Sequence, residues 1–257
     1  MTIKKSKLLI KKKKIINKRI VLLILIILTI CNVSSIILWS IALKIKDLSL
    51  DNKTNQKNYA EKQMYVNSVN EVGKRKRVLI DPGHGGSDQG TYNPRNGTIE
   101  KDITIEIANK VAYELSKDKN LQVIQTRTMD KSVSLSERNK IGINNNVDLF
   151  ISIHCNASND GSPTAQGIET FYWNKDDGSC DLAKSVHESL LYNSKAKDRG
   201  VKKGNYKVLR DSNVPSILIE TGFLTNDNEE NKLLDLQYQE ILAKSIANGI
   251  REYIKTN

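Results

Sequence analysis

The sequence predicts an α/β fold: a single domain with a twisted, mostly parallel sheet flanked by helices, preceded by an N-terminal transmembrane helix. Three observations predict it. Short apolar strand patterns alternate with helical patterns over residues 76–257, as in helix-covered parallel sheets. Two of these strands lead directly into histidine-bearing segments, where open α/β sheets bind ligands. Residues 20–43 form one long apolar run without a charge.

Arg77–Asp81 (RVLID) reads as a short buried strand that ends in a Pro-Gly turn. Ile99, Ile103, Ile107, Val111 and Leu115 recur every fourth residue, which places them on one helix face. Leu121–Thr126 is a strand, and Ser134-Leu-Ser-Glu137 is a capping box that opens a helix to about Asn144. Leu149–His154, Ile168–Trp173 and Ser216–Glu220 are strands, and residues 180–193, 228–235 and 237–254 are helices. No internal repeat is visible.

Hydrophobic residues make up 39% of the 257, enough for a core, so wholesale disorder is excluded. The net charge of +11 suggests a nucleic-acid partner until it is located along the chain. Residues 1–19 hold nine Lys and Arg and no acid, and without them the rest carries only +2. The folded part is nearly balanced, which argues against nucleic acid. The basic run is better read with the segment after it. As a helix, residues 20–43 reach roughly 36 Å, against a hydrocarbon core of about 30 Å. Lys and Arg ahead of such a span keep the N-terminus cytoplasmic. The run is longer than a signal-peptide core and lacks an A-x-A-like cleavage site. The expected organisation is therefore a basic tail (1–19), a membrane anchor (20–43), a polar stalk (44–75) and an extracytoplasmic domain (76–257). Cys155 and Cys180 show no disulfide framework, and Cys155 is expected reduced and buried.

The chain has three histidines. His84 lies in Asp81-Pro-Gly-His-Gly-Gly86, and His154 lies in Ile151-Ser-Ile-His-Cys-Asn156. Two imidazoles at strand C-terminal ends can share a metal. Strand alternation puts Ser152, His154 and Asn156 on one face and Cys155 on the other. A catalytic zinc site takes about three protein ligands and keeps one position open. Glu100, in Thr98-Ile-Glu-Lys101, is a candidate third ligand; it is equally explained as a first-turn acid on a helix dipole. Glu220 closes an apolar strand in Ser216-Ile-Leu-Ile-Glu220, where a carboxylate is costly without a partner. It is a candidate catalytic group or a cap for the loop that follows.

Four motifs stand in order: DPGHGG, Glu100 at a helix start, SIHCNA and IETGFLTN. Together they resemble the zinc-dependent N-acetylmuramoyl-L-alanine amidases of the Amidase_3 type, across about residues 76–255. The resemblance implies a Zn2+ held by His84, Glu100 and His154, with Glu220 as the catalytic glutamate. It implies hydrolysis of the amide between the muramoyl group and L-alanine of the peptidoglycan stem peptide. Asn156 is a candidate for substrate contact. Arg127 is expected to tie a loop, Arg138 to form an ion pair, and Glu169 to support the site from behind. His187, in a helical pattern, is expected to be a surface or half-buried residue away from metal. Gly83, Gly85 and Gly86 could form an anion-binding nest, but no P-loop Lys-Ser/Thr follows, which excludes a nucleotide site. Only nine residues separate Asn156 from Gln166. That leaves no room for the inserted plug of some relatives and suggests a site needing no activator, with any regulatory partner unknown. Two rival readings remain at this stage: a catalytically silent wall-binding scaffold, and a zinc carboxypeptidase acting on the stem peptide.

Overall fold

The structure, a computed structural model, describes residues 39–41, 44, 75–158, 163–174 and 176–257. The chain divides into two compact units, Met1–Asn70 and Glu71–Asn257. In the first, residues 39–41 and 44 are helical and Trp39 is exposed. The expected tail over 1–19 lies outside the described residues. So do the expected anchor over 20–43 and stalk over 44–75, apart from residues 39–41, 44 and 75. No helix among the described residues is long and apolar enough to cross a membrane.

The second unit opens with β1 (Lys76–Pro82) and a two-stranded ribbon, β2 (Tyr92–Asn93) with β3 (Thr98–Ile99). Helix α1 (Glu100–Ser116), β4 (Leu121–Gln125), α2 (Leu135–Asn144) and β5 (Leu149–Asn156) follow. Then come β6 (Ile168–Tyr172), α3 (Ser179–Ser194), β7 (Asp198–Lys203) and the one-turn α4 (Lys207–Arg210). Strand β8 (Ser216–Phe223) and helices α5 (Asp227–Leu234) and α6 (Leu236–Thr256) complete it. Of the expected capping box, the Ser134 N-cap bond is present, with the Glu137 amide donating to Ser134 Oγ at 3.2 Å. Asn226 and Asp235 cap α5 and α6 in the same way.

The main sheet has the order β4-β1-β5-β8-β6-β7. Neighbours run parallel except β6 and β8, which are antiparallel. A mostly parallel sheet flanked by helices is therefore what the chain forms. Two local readings need correction. The strand expected to stop at Glu220 continues to Phe223, because the backbone ladder holds even where Glu220 and Thr221 interrupt the apolar run. Strand β7 has no counterpart in the sequence pattern. Its residues, Asp-Arg-Gly-Val-Lys-Lys, look like a loop, yet a charged edge strand protects a sheet from pairing further.

The two faces of the sheet are covered unequally, and this positions the site. Val78, Ile80, Ile151, Ile153, Cys155, Ile217 and Ile219 project into a large core. Helices α1, α3 and α6 supply its other half, with Ile107, Val111, Val186, Leu190, Ile246 and Ile250 fully buried. The opposite face carries a much smaller cluster of Leu79, Phe150, Leu218, Val147, Val208 and Leu209. By strand alternation, Asp81, Ser152, His154 and Glu220 belong to this thinly covered face. The sheet is thus anchored from one side and left accessible near its strand C-terminal ends on the other.

Candidate metal centre

His84 lies two residues past β1, and its conformation is unusual. Its φ is 60°, a left-handed backbone that a non-glycine residue adopts only when its surroundings enforce it. Two buried arginines do so. The Arg138 guanidinium donates to the carbonyls of Pro82 at 2.8 Å and His84 at 2.7 Å. The Arg127 guanidinium donates to the carbonyl of Gly83 at 2.8 Å and to that of Pro82 at 3.2 Å. Every carbonyl from residue 82 to residue 84 therefore accepts from a guanidinium. Arg138 is in turn paired with Asp81 at 2.6 Å. Asp81 also accepts from Thr126 Oγ1 at 2.6 Å and Ser152 Oγ at 2.8 Å. Arg127 ties a loop as expected. Arg138 does form an ion pair, but it reaches from α2 into the base of the histidine loop and is 3% exposed.

Glu100 begins α1 and is also 3% exposed. Its Oε1 lies 3.2 Å from His84 Nε2 and 3.0 Å from His154 Nδ1. The same oxygen accepts from the Cys155 amide at 2.9 Å, and Oε2 accepts from the Thr91 amide at 2.8 Å. Burial alone would raise this carboxyl's pKa, but hydrogen bonds and charge from His154 and His84 hold it far below the usual range. The converse holds at His84. Burial disfavours its charged form, and contact with Glu100 and Asp88 outweighs that and raises its pKa. His84 Nδ1 meets Asp88 Oδ2 at 2.9 Å, which leaves Nε2 facing Glu100 and His154. The two imidazole rings stand edge to face with centroids 4.8 Å apart. Gly83 makes this approach feasible, since a side-chain carbon there would collide with the His154 ring.

The structure therefore brings His84, Glu100 and His154 together. One potential ligand atom from each lies within 4.8 Å of the others. Glu220 is the direct register partner of His154 across β5 and β8. It is deeply buried, and its Oε2 has no hydrogen-bond partner among the described residues. Burial pushes its carboxyl up to about 7, against the opposing pull of His154, with Glu100 and Glu169 adding repulsion. All four residues line a groove of about 810 Å³ together with Asn156. Ser132–Leu135 and Tyr206–Val208 line it as well. The Tyr206 phenol is pushed up to about 12 by burial, then by Glu220 and Glu169, so it keeps its proton.

Four further sequence readings have outcomes here. Cys155 is buried and free, and Cys180 is also free. Burial pushes the Cys155 thiol well up, and Glu100 adds to this, which makes it a packing residue. Glu169 lies behind the groove with Lys202 and Arg199. The glycine nest is not available to a ligand, because Asp130 Oδ1 already accepts from the Gly86 amide at 2.6 Å. His187 is not at the surface. It is 4% exposed and bridges Thr170 Oγ1 at 3.0 Å and Asp198 Oδ1 at 2.9 Å, tying α3 to β6 and β7. Sequence reasoning did not find Asp88, Tyr206 or the 132–135 wall. Only Asp88 had a signal, an acid four residues after His84.

This geometry coincides with a match over residues 78–252 to the family described as N-acetylmuramoyl-L-alanine amidase. The chain belongs to the N-acetylmuramoyl-L-alanine amidase family. It is 37% identical over 180 residues to YqiI of Bacillus subtilis (strain 168), covering 69% of this chain and 84% of YqiI. It is 34% identical over 184 residues to LytH of Staphylococcus epidermidis (strain ATCC 12228 / FDA PCI 1200), described as a probable cell wall amidase. That match covers 71% of this chain and 60% of LytH. Among solved structures, the N-acetylmuramoyl-L-alanine amidase from Clostridium difficile 630 superposes with a TM-score of 0.70 at 44% identity. It covers 72% of this chain and 99% of that amidase chain.

Two outcomes follow from this geometry. Arg138→Met leaves Asp81 and the His84 carbonyl without their guanidinium and removes one of the two donors to the Pro82 carbonyl, and the fold should lose about 3–5 kcal/mol, as when one member of a buried ion pair is removed. Equilibrium denaturant unfolding measures it; a loss within experimental error would show that the clamp is dispensable. The second outcome concerns pH in metal-free protein. Since the His84 pKa is raised above 6.5, its pairing with Glu100 stabilises the fold fully below that value. The contribution fades as pH rises through the raised pKa. The stability difference between wild type and Glu100→Gln in chelator should therefore shrink from about pH 6 to pH 8. A difference that grows over this window contradicts the pairing.

Proposed function

We propose that this chain is a zinc-dependent amidase that hydrolyses the bond between N-acetylmuramoyl residues and L-alanine of the peptidoglycan stem peptide. The observation that carries the reading is Glu220, a buried carboxylate whose Oε2 has no partner among the described residues, lining the groove beside two imidazoles and Glu100. An orphaned buried carboxylate is costly and calls for a ligand or a catalytic role. Two histidines and one carboxylate are a common donor set of catalytic zinc sites, and the three donor atoms are close enough to share one ion. The residues therefore fit a divalent metal, with His84 through Nε2, His154 and Glu100 holding it. Zinc there supplies a Lewis acid that polarises a carbonyl and acidifies water.

The protein's own groups account for the proton movements. Glu220 takes a proton from the attacking water at its free oxygen. As the carbon–oxygen bond forms and the carbon–nitrogen bond breaks, Glu220 returns that proton to the leaving amine. The products are a free muramic acid carboxyl group and a stem peptide with a free L-alanine amine. A carboxyl pushed up to about 7 is suited to both halves of this transfer near neutral pH. Asp88 fixes the His84 ring, and Asn156 offers a polar contact to substrate.

The family match supports the amide as the bond cut. Glu220→Gln should lower turnover by about 10²–10⁴-fold while bound zinc stays equimolar. Mass analysis of digested peptidoglycan should show free peptides that begin with L-alanine. Release of single C-terminal amino acids would instead identify a carboxypeptidase, and an intact wall with the wild-type chain would identify a silent scaffold.

The reading extends to location. The nine basic residues of 1–19, followed by the uncharged run over 20–43, support a single-pass anchor with the amidase unit facing the wall. Externally added protease should reach the unit of residues 71–257 in intact wall-stripped cells. Full protection there, with digestion only after lysis, would contradict this orientation.

A further inference from the structure

Behind the groove, Asn156 meets a carboxylate that the reaction does not use. Strand β6 is antiparallel to β8, and Glu169 is the register partner of Glu220. Paired residues on antiparallel strands project to the same face, so Glu169 is brought to the site's own side of the sheet. It is 5% exposed, yet both its oxygens are engaged. Oε2 is paired with Lys202 and lies 3.5 Å from Arg199 Nε. Oε1 accepts from Asn156 Nδ2.

The other end of the Asn156 amide is also held, because Oδ1 accepts from the Ala157 amide at 2.8 Å. These two contacts determine which way the amide faces. An ionised carboxylate only accepts, and a backbone N–H only donates. A flipped amide would set oxygen against carboxylate and nitrogen against N–H, losing both bonds. The amide nitrogen carries two hydrogens. One goes to Glu169, and the other has no acceptor among the described residues. Asn156 lines the groove.

We propose that Glu169 is a positioning residue for substrate binding: it locks the Asn156 amide so that one N–H is presented to an acceptor of the bound substrate, such as a peptide carbonyl. This rests on the amidase reading of the groove. Lys202 and Arg199 lie against Oε2 and leave Oε1 to Asn156. Without Glu169, only the Ala157 amide still orients the Asn156 side chain, and its N–H is held less firmly toward the groove.

The test uses the zinc-loaded full chain, a soluble muramoyl peptide and parallel unfolding of the metal-free protein. Glu169→Ala and Asn156→Ala should each raise KM about tenfold, the worth of one hydrogen bond, with kcat within about twofold. The double variant should be no worse than either single one, because both remove the same contact. Glu169→Gln keeps an acceptor oxygen and should stay close to wild type. Asn156→Asp faces Glu169 with a like charge and should unfold earlier. Combining it with Glu169→Gln restores a donor–acceptor pair, so the unfolding midpoint should recover while KM stays raised. A purely structural role predicts recovery of both.

A wild-type KM in Glu169→Ala, or in the Asn156→Asp/Glu169→Gln double variant, overturns the proposal. So does a Glu169→Ala/Asn156→Ala variant whose loss is the product of the single losses. If Glu169→Ala does not fold, the charge-swapped pair decides. A wild-type chain that cleaves nothing overturns the amidase reading and this proposal together, whereas normal wild-type cleavage beside an unaffected Glu169→Ala overturns this proposal alone.

Discussion

One buried carboxylate organises the site. Glu100 connects four separate stretches of chain: the His84 loop, the end of β5 through His154 and the Cys155 amide, the Thr91 segment and the start of α1. A charged group this deep is tolerated only when its oxygens are fully engaged. Here the helix N-terminus favours the negative charge, and two backbone amides and two imidazoles use its lone pairs. The arrangement couples folding to function, since the contacts that make Glu100 tolerable also bring two histidine side chains into ligand distance of one point.

A second buried charge system holds the backbone from which His84 projects. Arg127 and Arg138 take the carbonyls of residues 82–84, and Asp81 balances Arg138. The left-handed backbone at His84 is unfavourable by itself. It persists because each carbonyl it turns inward finds a donor. Rigidity of this kind keeps the His84 imidazole in place beside Glu100 and His154.

The unequal cover of the sheet explains why a polar site survives in the middle of it. The face packed by α1, α3 and α6 buries the apolar surface that stabilises the unit. That frees the other face to carry Asp81, Ser152, His154 and Glu220 in consecutive strands. The single antiparallel junction, β6 against β8, then sets Glu169 beside Glu220. Two carboxylates this close would repel, and Lys202 and Arg199 from the charged edge strand compensate the rear one. Oε2 of the front one has no hydrogen-bond partner among the described residues. A strand that looks like a loop in sequence therefore has an electrostatic task at the site.

Much of this was legible along the chain. Strand and helix alternation, the apolar four-residue step of α1 and the Ser134 N-cap of α2 follow from local periodicity and hydrogen bonding, which neighbours in sequence fix. So does the opposite facing of His154 and Cys155, because successive strand residues alternate. The histidine motifs and the lone acid after an apolar strand were visible for the same reason. What the sequence left open was decided by tertiary structure. Whether Glu100 is a first-turn acid or shares a point with two imidazoles depends on residues 16 and 54 positions away. His187 became a buried bridge, Arg138 a backbone clamp and the glycine nest a seat for Asp130, because each partner arrives from a distant element. Spacing along a chain constrains what adjacent residues do; the partner a buried charge finds is set by strand order and helix packing, which no local pattern encodes.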